Sequence, residues 1–477
     1  MLSHCKLGVI AALLIPMAFA QDVVQPGLAP GTSRDRVPTP APNAYIVTFR
    51  TGTPKSARAL AALQSGAQLR FNLDNVAAVV VTVSNAAALN ALRNNPAVLR
   101  AVPDYVVRTT EKPSGTSGGK PGGGGGGTSS PLTFNTRQII PYEVQRIGIP
   151  GQGNDGTGIG VAVVDTGIDS HPDLAPSSSS FTAFGSSCQD DHGHATHVSG
   201  LIAALNNEIA IVGVAPGAKL YCVKVLDATG SGTDGTTMAG LDWVLTNRNA
   251  VTPPIRVVNL SLGRSLALGE TLENTALRPI IQALYNAGVV VVAAAGNSPD
   301  LEVSQFVPAG LPEVISVAST VAINGIRTCY LNGDPALGWV PADTASGFTT
   351  DGPAVTISAP GEEHTDIVNL GSAGCVGLQY GAISTTRGTT GATRKVAGAE
   401  ARGTSFAAPL VSGVVARIIQ KLLVPATGDA AEVEGIRSWI TANASRKNEA
   451  PLDHPWANVN YPYTYDGKRE GIAQAPK

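Results

Sequence analysis

The stretch Ile159-Gly-Val-Ala-Val-Val-Asp-Thr-Gly-Ile-Asp169 decides the fold. From Ile159 to Val164 no polar side chain interrupts the run. So short a run reads as a strand buried on both faces, the pattern of a parallel sheet covered by helices. It ends in Asp165, and the carboxyl ends of such strands are where α/β folds place chemistry. Leu220–Leu226, Val257–Leu260, Val289–Ala294 and Val314–Ala318 repeat the pattern, with helical segments at Gly235–Leu245 and Pro279–Ala287 between them. The expectation is an α/β domain over residues 138–449, with a doubly wound, mostly parallel sheet. A buried helix should run on past Pro409 to about Leu423 and a surface helix should span Ala430–Ala442. Residues 450–477 read as a polar C-terminal tail.

Upstream the pattern differs. Residues 1–20 have Lys6, a short apolar run from Leu7 to Ile15, and Ala18-Phe-Ala20 before Gln21, the layout of a secretory signal. Residues 21–43 are rich in Pro, Gly and Ala and read as disordered. Over 44–110 a strand (Ala44–Arg50), a helix (Ser56–Ser65), a β-branched strand (Val76–Val83), a helix (Ala86–Asn94) and a strand (Ala97–Val107) predict a small α+β domain of the split βαβ kind. Residues 111–137, with Gly122 to Gly127 unbroken, form a flexible linker. The 477 residues suffice for two folded units. With 14% charged residues and a formal net charge of −2, no basic face is implied, which argues against a nucleic-acid partner. No apolar run is long enough for a membrane anchor. Export leaves four cysteines, Cys188, Cys222, Cys329 and Cys375, and an even number suggests two disulfides. Three pairings are possible; neighbours in sequence, Cys188–Cys222 and Cys329–Cys375, are favoured.

Arg402-Gly-Thr-Ser-Phe-Ala-Ala-Pro-Leu-Val-Ser-Gly413 reads as a Gly turn, a hydroxyl residue and the start of an apolar helix. Ser405 would then sit at a helix N-terminus, where unpaired N–H groups favour a developing anion. The same residues would serve equally as an ordinary N-cap. Asp191-His-Gly-His-Ala-Thr-His197 supplies three histidines: either two hold zinc, or one is a general base for Ser405, oriented by a carboxylate. Val291-Val-Ala-Ala-Ala-Gly-Asn297 is a strand ending in an amide, which either forms a turn or donates to an oxyanion.

Asp-Thr-Gly-Ile-Asp, His-Ala-Thr-His-Val-Ser-Gly, Ala-Ala-Gly-Asn and Gly-Thr-Ser-Phe-Ala-Ala-Pro occur in the order of the subtilisin-like serine proteases (subtilases), and over roughly 138–445 the chain resembles that family. The resemblance implies a secreted serine endopeptidase acting through an acyl-enzyme. Asp165 matches the triad acid, His194 the base, Ser405 the nucleophile and Asn297 the oxyanion amide. Ala195 and Ser199 replace a Gly and an Ala of the family motif. Polypeptide substrates would lie between Gly230-Ser231-Gly232 and Ser261-Leu262-Gly263, with Ala294, Ala295 and Gly296 lining an apolar first pocket and Arg264 and Asp234 near the cleft. A structural calcium is implied at Gln138, Asp173, Asn207 and the carbonyls of Leu205, Ile209 and Ile211, with no cofactor for catalysis. Residues 44–110 resemble the family's propeptide, an intramolecular inhibitor and chaperone, cleaved near Thr110 or near Gln138. A monomer is expected. The alternatives are a silent scaffold that binds peptides without cutting them, a relative with a carboxylate base, and a zinc hydrolase.

Overall fold

The computed structural model describes residues 37–110, 133–135, 138–151, 153–325, 340–369, 375–396, 399–454 and 467–477. The signal-like residues 1–20, most of the linker, Cys329 and the side chain of Cys375 lie outside this set, and with them the second cysteine pairing. In the N-terminal domain β1 (Pro40–Phe49), α1 (Lys55–Gln64), β2 (Gln68–Asn72), β3 (Ala78–Thr82), α2 (Ala86–Arg93) and β4 (Val98–Thr109) follow in order. Their antiparallel sheet runs β4-β1-β3-β2. Two features differ from the sequence reading. Strand β1 starts at Pro40, inside the segment expected to be disordered. Strand β2 is an additional element at the sheet edge; Gln-Leu-Arg-Phe-Asn alternates polar and apolar residues, but over only five positions, and Gln68, Leu69 and Arg70 all lie exposed.

The large domain begins with the hairpin β5 (Thr133–Asn135) and β6 (Gln138–Ile139), then α3 (Tyr142–Ile147), β7 (Gly160–Asp165), β8 (Phe181–Thr182), α4 (His194–Ala203), β9 (Lys219–Lys224), β10 (Ser231–Thr233) and α5 (Asp234–Asn247). There follow β11 (Ile255–Leu260), β12 (Leu262–Ser265), α6 (Arg278–Asn286), β13 (Val290–Ala294), β14 (Phe306–Val307), β15 (Val314–Val321) and β16 (Ile357–Glu362). After the hairpin β17 (His364–Asn369)–β18 (Cys375–Tyr380) come α7 (Thr404–Gln420) and α8 (Ala430–Ala442). The central sheet is parallel, in the order β16-β15-β13-β11-β7-β9-β8. From β7 the chain builds first to one side and then to the other, so Asp165 ends the strand at the switch point.

Alternation along the strands feeds two cores. Val161 and Val163 face a cluster with the helices α4, α7 and α8, while Ala162 and Val164 face one with α5 and α6. Every residue of α7 from Thr404 to Ile419 is buried, as befits a helix without a polar face. The end of the chain docks on this core instead of forming a solvated tail. Ile472 bridges to Ser358 and Ser445, and Ala473 and Ala475 are buried. The guanidinium of Arg417, inside α7, donates to the carbonyls of Gly148 (2.6 Å) and Pro476 (2.9 Å).

The two domains share a core, since Ile46, Leu73, Ala78, Val80 and Val107 belong to the same apolar cluster as Met238, Leu241 and Leu262. At its margin Asp242 of α5 accepts from the N–H groups of Asp74 (2.7 Å) and Asn75 (2.8 Å). Asp104 of β4 accepts from the N–H of Gly235 (2.8 Å), at the start of α5 where the helix dipole favours an anion.

Two expectations follow from this packing. Ile472→Ala should cost about 2–5 kcal/mol in urea unfolding of the full chain carrying Ser405→Ala, because a fully buried side chain leaves a cavity; an unchanged midpoint would show that the C-terminal segment is not part of the core. Burial, and next the neighbouring Asp234, push the Asp104 carboxyl up to about 7. The proton it holds when docked leaves an unfolded Asp above about pH 4. Its contribution is therefore fully present below about pH 4 and is lost as pH rises through about 7. Asp104→Asn in the same background should gain stability over the parent by roughly 2 kcal/mol more at pH 8 than at pH 5. An equal difference at both pH values would remove Asp104 from the interface energetics.

Candidate active site

Asp165, His194, Asn297 and Ser405 come from four different elements and meet at the carboxyl edge of the sheet. Asp165 closes β7 and His194 opens α4, and both are fully buried. The His194 Nδ1–H donates to Asp165 at 2.8 Å (Oδ1) and 3.0 Å (Oδ2). Since an ionised carboxylate only accepts, this contact fixes the tautomer and leaves Nε2 as the unprotonated nitrogen. Gly193 precedes α4 at φ +107°, a conformation that residues with a Cβ seldom adopt. The start of α4 is held by Asp190, whose carboxylate accepts from the N–H groups of His192, Gly193 and Thr196 and from the hydroxyls of Thr166 and Thr196. Thr166 in turn accepts from the Ala195 N–H (3.0 Å). Asp190 and Thr166, absent from the sequence reading, thereby lock the strand that ends in Asp165 to the helix that begins with His194. An acidic side chain shortly before a helix was the signal that could have found Asp190.

The three histidines do not converge on a metal. His197 Nε2 pairs with the Ala382 carbonyl at 2.9 Å, and burial drives its pKa down to about 3, so it stays neutral. Its ring and that of His194 both pack on Phe406, with centroids 5.0 and 5.5 Å away, which brings α4 beside the start of α7.

Ser405 is the second residue of α7, after Gly403 at φ +155°. Pro409 lies one turn on and has no N–H to give the Ser405 carbonyl. The Ser261 hydroxyl donates to that carbonyl instead (2.8 Å). Ser261 accepts from the Asn259 amide (2.9 Å), whose oxygen accepts from Ser412 of α7 (2.9 Å). A buried chain of side chains thus ties β11 to both ends of the first turns of α7. Asn259 and Ser412 carried no recognisable sequence signal, since each looks like an ordinary polar residue until the helix and strand are side by side.

Asn297 follows β13. Its Oδ1 accepts from the Thr404 N–H (3.0 Å), so the amide can turn only its Nδ2 outward. That nitrogen donates to the carbonyl oxygen of Thr110, the residue after β4, and the Ser405 N–H points at the same oxygen (3.4 Å). The Ser405 and Thr110 hydroxyls are 2.7 Å apart. Two donors on one carbonyl oxygen, beside a hydroxyl, is the arrangement that polarises an acyl group for attack.

Strand β4 reaches this point between two strands of the large domain. It pairs antiparallel with β10 (Ser231↔Arg108, Gly232↔Val107) and with β12 (Leu262↔Thr109, Gly263↔Arg108). The Thr109 N–H donates to the Gly230 carbonyl (3.1 Å) and the Thr110 N–H to that of Ser261 (3.2 Å). Gly230–Gly232 and Ser261–Gly263 therefore flank one groove. Ala294 ends β13, and Ala295 and Gly296 follow it just before Asn297, all three buried. Arg264 and Asp234 form a buried ion pair beside the groove (2.6 Å).

A second cluster surrounds Gln138. Its Nε2 donates to the carbonyls of Leu205 (2.6 Å), Ile209 (2.7 Å) and Ile211 (2.7 Å) and lies 3.4 Å from Asn207 Oδ1. Glu208 (φ 74°) and Ala210 (φ 41°) take left-handed conformations that turn alternate carbonyls inward. Asp173 presents a buried oxygen, Oδ1, that has no hydrogen-bond partner, and desolvation raises its carboxyl to about 7. A ring of oxygens around one polar nitrogen, with an uncompensated carboxylate oxygen beside it, fits a hard cation. The disulfide Cys188–Cys222 joins the loop before α4 to β9.

Comparisons with known proteins agree with this geometry. Residues 156–458 match the profile of the Subtilase family. A thermostable alkaline protease from Halalkalibacterium halodurans is 37% identical over 285 residues, 59% of this chain and 63% of that protein. A subtilisin from Bacillus pumilus is 37% identical over 292 residues, 60% of this chain and 86% of the relative. The chain thus spans less than two thirds of the first relative's length. Among solved structures, fervidolysin from Fervidobacterium pennivorans, a keratinolytic enzyme related to subtilisin, superposes with a TM-score of 0.59 at 22% identity, covering 91% of this chain and 60% of that one, a likeness of fold. The profile match takes in well over half of the chain, including Asp165, His194, Asn297 and Ser405, and on that ground the chain belongs to the subtilase family.

Proposed function

We propose that this chain is a secreted serine endopeptidase, made as a proenzyme that cuts itself after Thr110. The observation that carries the reading is the Thr110 carbonyl oxygen, held by the Asn297 amide and the Ser405 N–H beside the Ser405 hydroxyl. In the cycle, Asp165 orients His194 and stabilises its charged form. His194 Nε2 removes the Ser405 proton as Oγ attacks the carbonyl carbon. The oxygen then bears the negative charge, met by the two donors already aimed at it. His194 passes its proton to the leaving nitrogen, the C–N bond breaks, and Ser405 carries an acyl ester. Water, deprotonated by the same imidazole, releases the acid.

Polypeptide substrates would add as a strand between β10 and β12, as β4 does. The domain 44–110 then acts as an inhibitor in its own cleft and as a template for folding. Residues 1–20 direct export. Gln138, Asp173, Asn207 and the carbonyls of Leu205, Ile209 and Ile211 would hold a structural calcium ion, with the Gln138 amide turned to offer its oxygen. When bound, the ion supplies the positive charge that Asp173 lacks; none of the chemical steps passes through it.

Intact-mass analysis of the expressed full chain tests the reading. Wild type should lose a fragment ending at Thr110, and Ser405→Ala should keep it. Equal cleavage of both would assign processing to another protease. Two uncut folded proteins would favour a silent peptide-binding scaffold, and a cut near Gln138 would displace Thr110 as the junction. For calcium, EGTA should lower the melting temperature of the Ser405→Ala chain, because calcium at 100 times its Kd adds about 2.7 kcal/mol. In Asp173→Asn the shift should shrink to near zero; an equal EGTA effect in both proteins would place the ion elsewhere.

A further inference from the structure

Arg264 stands at the far end of the groove, where β12 leaves β4. It is buried, yet all five of its N–H donors are spoken for within the large domain. Nε and Nη2 donate to Asp234 (3.0 and 2.6 Å), Nη1 and Nη2 to Glu270 (2.7 and 2.8 Å), and Nη1 also to the Ser265 carbonyl (2.9 Å). Glu270 is braced in turn by the Ala267 N–H (2.9 Å). A guanidinium whose edge is saturated has only its flat face left to offer. On that face lies the ring of Tyr105, 4.8 Å from the guanidinium carbon. Tyr105 belongs to the N-terminal domain, while Arg264, Asp234 and Glu270 all belong to the large one. If the N-terminal domain departs, the face stays in place without its partner.

We propose that Arg264, fixed by Asp234 and Glu270, forms a subsite that selects an aromatic side chain at the sixth substrate residue before the cut bond. This rests on the protease reading above, which counts Thr110 as the first residue and Tyr105 as the sixth. An extended peptide pairing with β10 and β12 in the register of β4 brings its sixth side chain to the same place. Aromatic faces carry the negative lobe of a quadrupole and attract the cation beyond their apolar area. An acidic side chain there would meet Asp234 and Glu270, and an aliphatic one would gain only contact area. The same stack holds the N-terminal domain in the cleft, so inhibitor and preferred substrate share one recognition feature.

The test uses the processed protein obtained by expressing the full chain, with quenched fluorescent peptides spanning the sequence of residues 103–112. Wild-type kcat/KM should fall about 3- to 30-fold when the Tyr at the sixth position is replaced by Leu. It should fall at least as far with pentafluorophenylalanine, whose ring has the opposite quadrupole but more apolar surface. Glu should be the poorest. In Arg264→Met combined with Asp234→Asn and Glu270→Gln, which leaves no unpaired carboxylate, Tyr and Leu should come within about twofold of each other. Should that variant not fold, the wild-type series decides alone. Equal kcat/KM for Tyr and Leu, or for Tyr and pentafluorophenylalanine, would overturn the subsite while leaving the protease reading intact. Cleavage of none of the peptides would overturn the protease reading, and the subsite with it.

Discussion

A proline inside a buried helix leaves one carbonyl without its donor, and the site is arranged around how that carbonyl is satisfied. The orphan is the carbonyl of Ser405, the donor is the hydroxyl of Ser261, and behind it stand Asn259 and Ser412. An unpaired carbonyl in this core would cost on the order of 1–3 kcal/mol. Meeting that demand sets the distance between the end of β11 and the first turn of α7. The same contact places the Ser261 carbonyl where it accepts from the Thr110 N–H. One backbone defect therefore couples Ser405 to the segment that pairs with the end of β4.

The other half of the site is assembled from the opposite side of β7. Asp165 and Thr166 are consecutive, and Asp190 binds Thr166 and the start of α4 at once. His194 thus has little freedom to move away from its carboxylate. Such over-determination suits the general-base role proposed for His194, because misplacement by a fraction of an ångström lowers the rate. The disulfide Cys188–Cys222 closes the loop that carries Asp190 onto β9, next to β7.

Much of this was legible in the residues. Uninterrupted apolar runs exposed the parallel sheet because both faces are covered, and four short motifs in order pointed to Asp165, His194, Asn297 and Ser405. Short elements were harder to see. Strand β2 alternates over only five residues and forms an edge, and the hairpin β17–β18 follows a strand with no break in composition to announce it. The chain after residue 450 looked polar by count, yet Ile472, Ala473 and Ala475 are buried in the core. Supporting residues such as Asn259 and Ser412 escape any linear reading, since their meaning lies in partners that are 153 positions apart. The pairing of Arg264 with Asp234 was visible only as proximity; that its edge is saturated and its face covered by Tyr105 is a fact of three dimensions.

The groove has a further consequence. Its walls, β10 and β12, are three and four residues long, and between them they complete their hydrogen bonding through β4. Without that strand, both walls expose unpaired backbone, the surface through which sheets of separate molecules fuse into aggregates. Walls this short offer a stranger's strand only a few ladder bonds before the sheet turns away into α5 on one side and β14 on the other. The edge they form is thus too short to template a fibre.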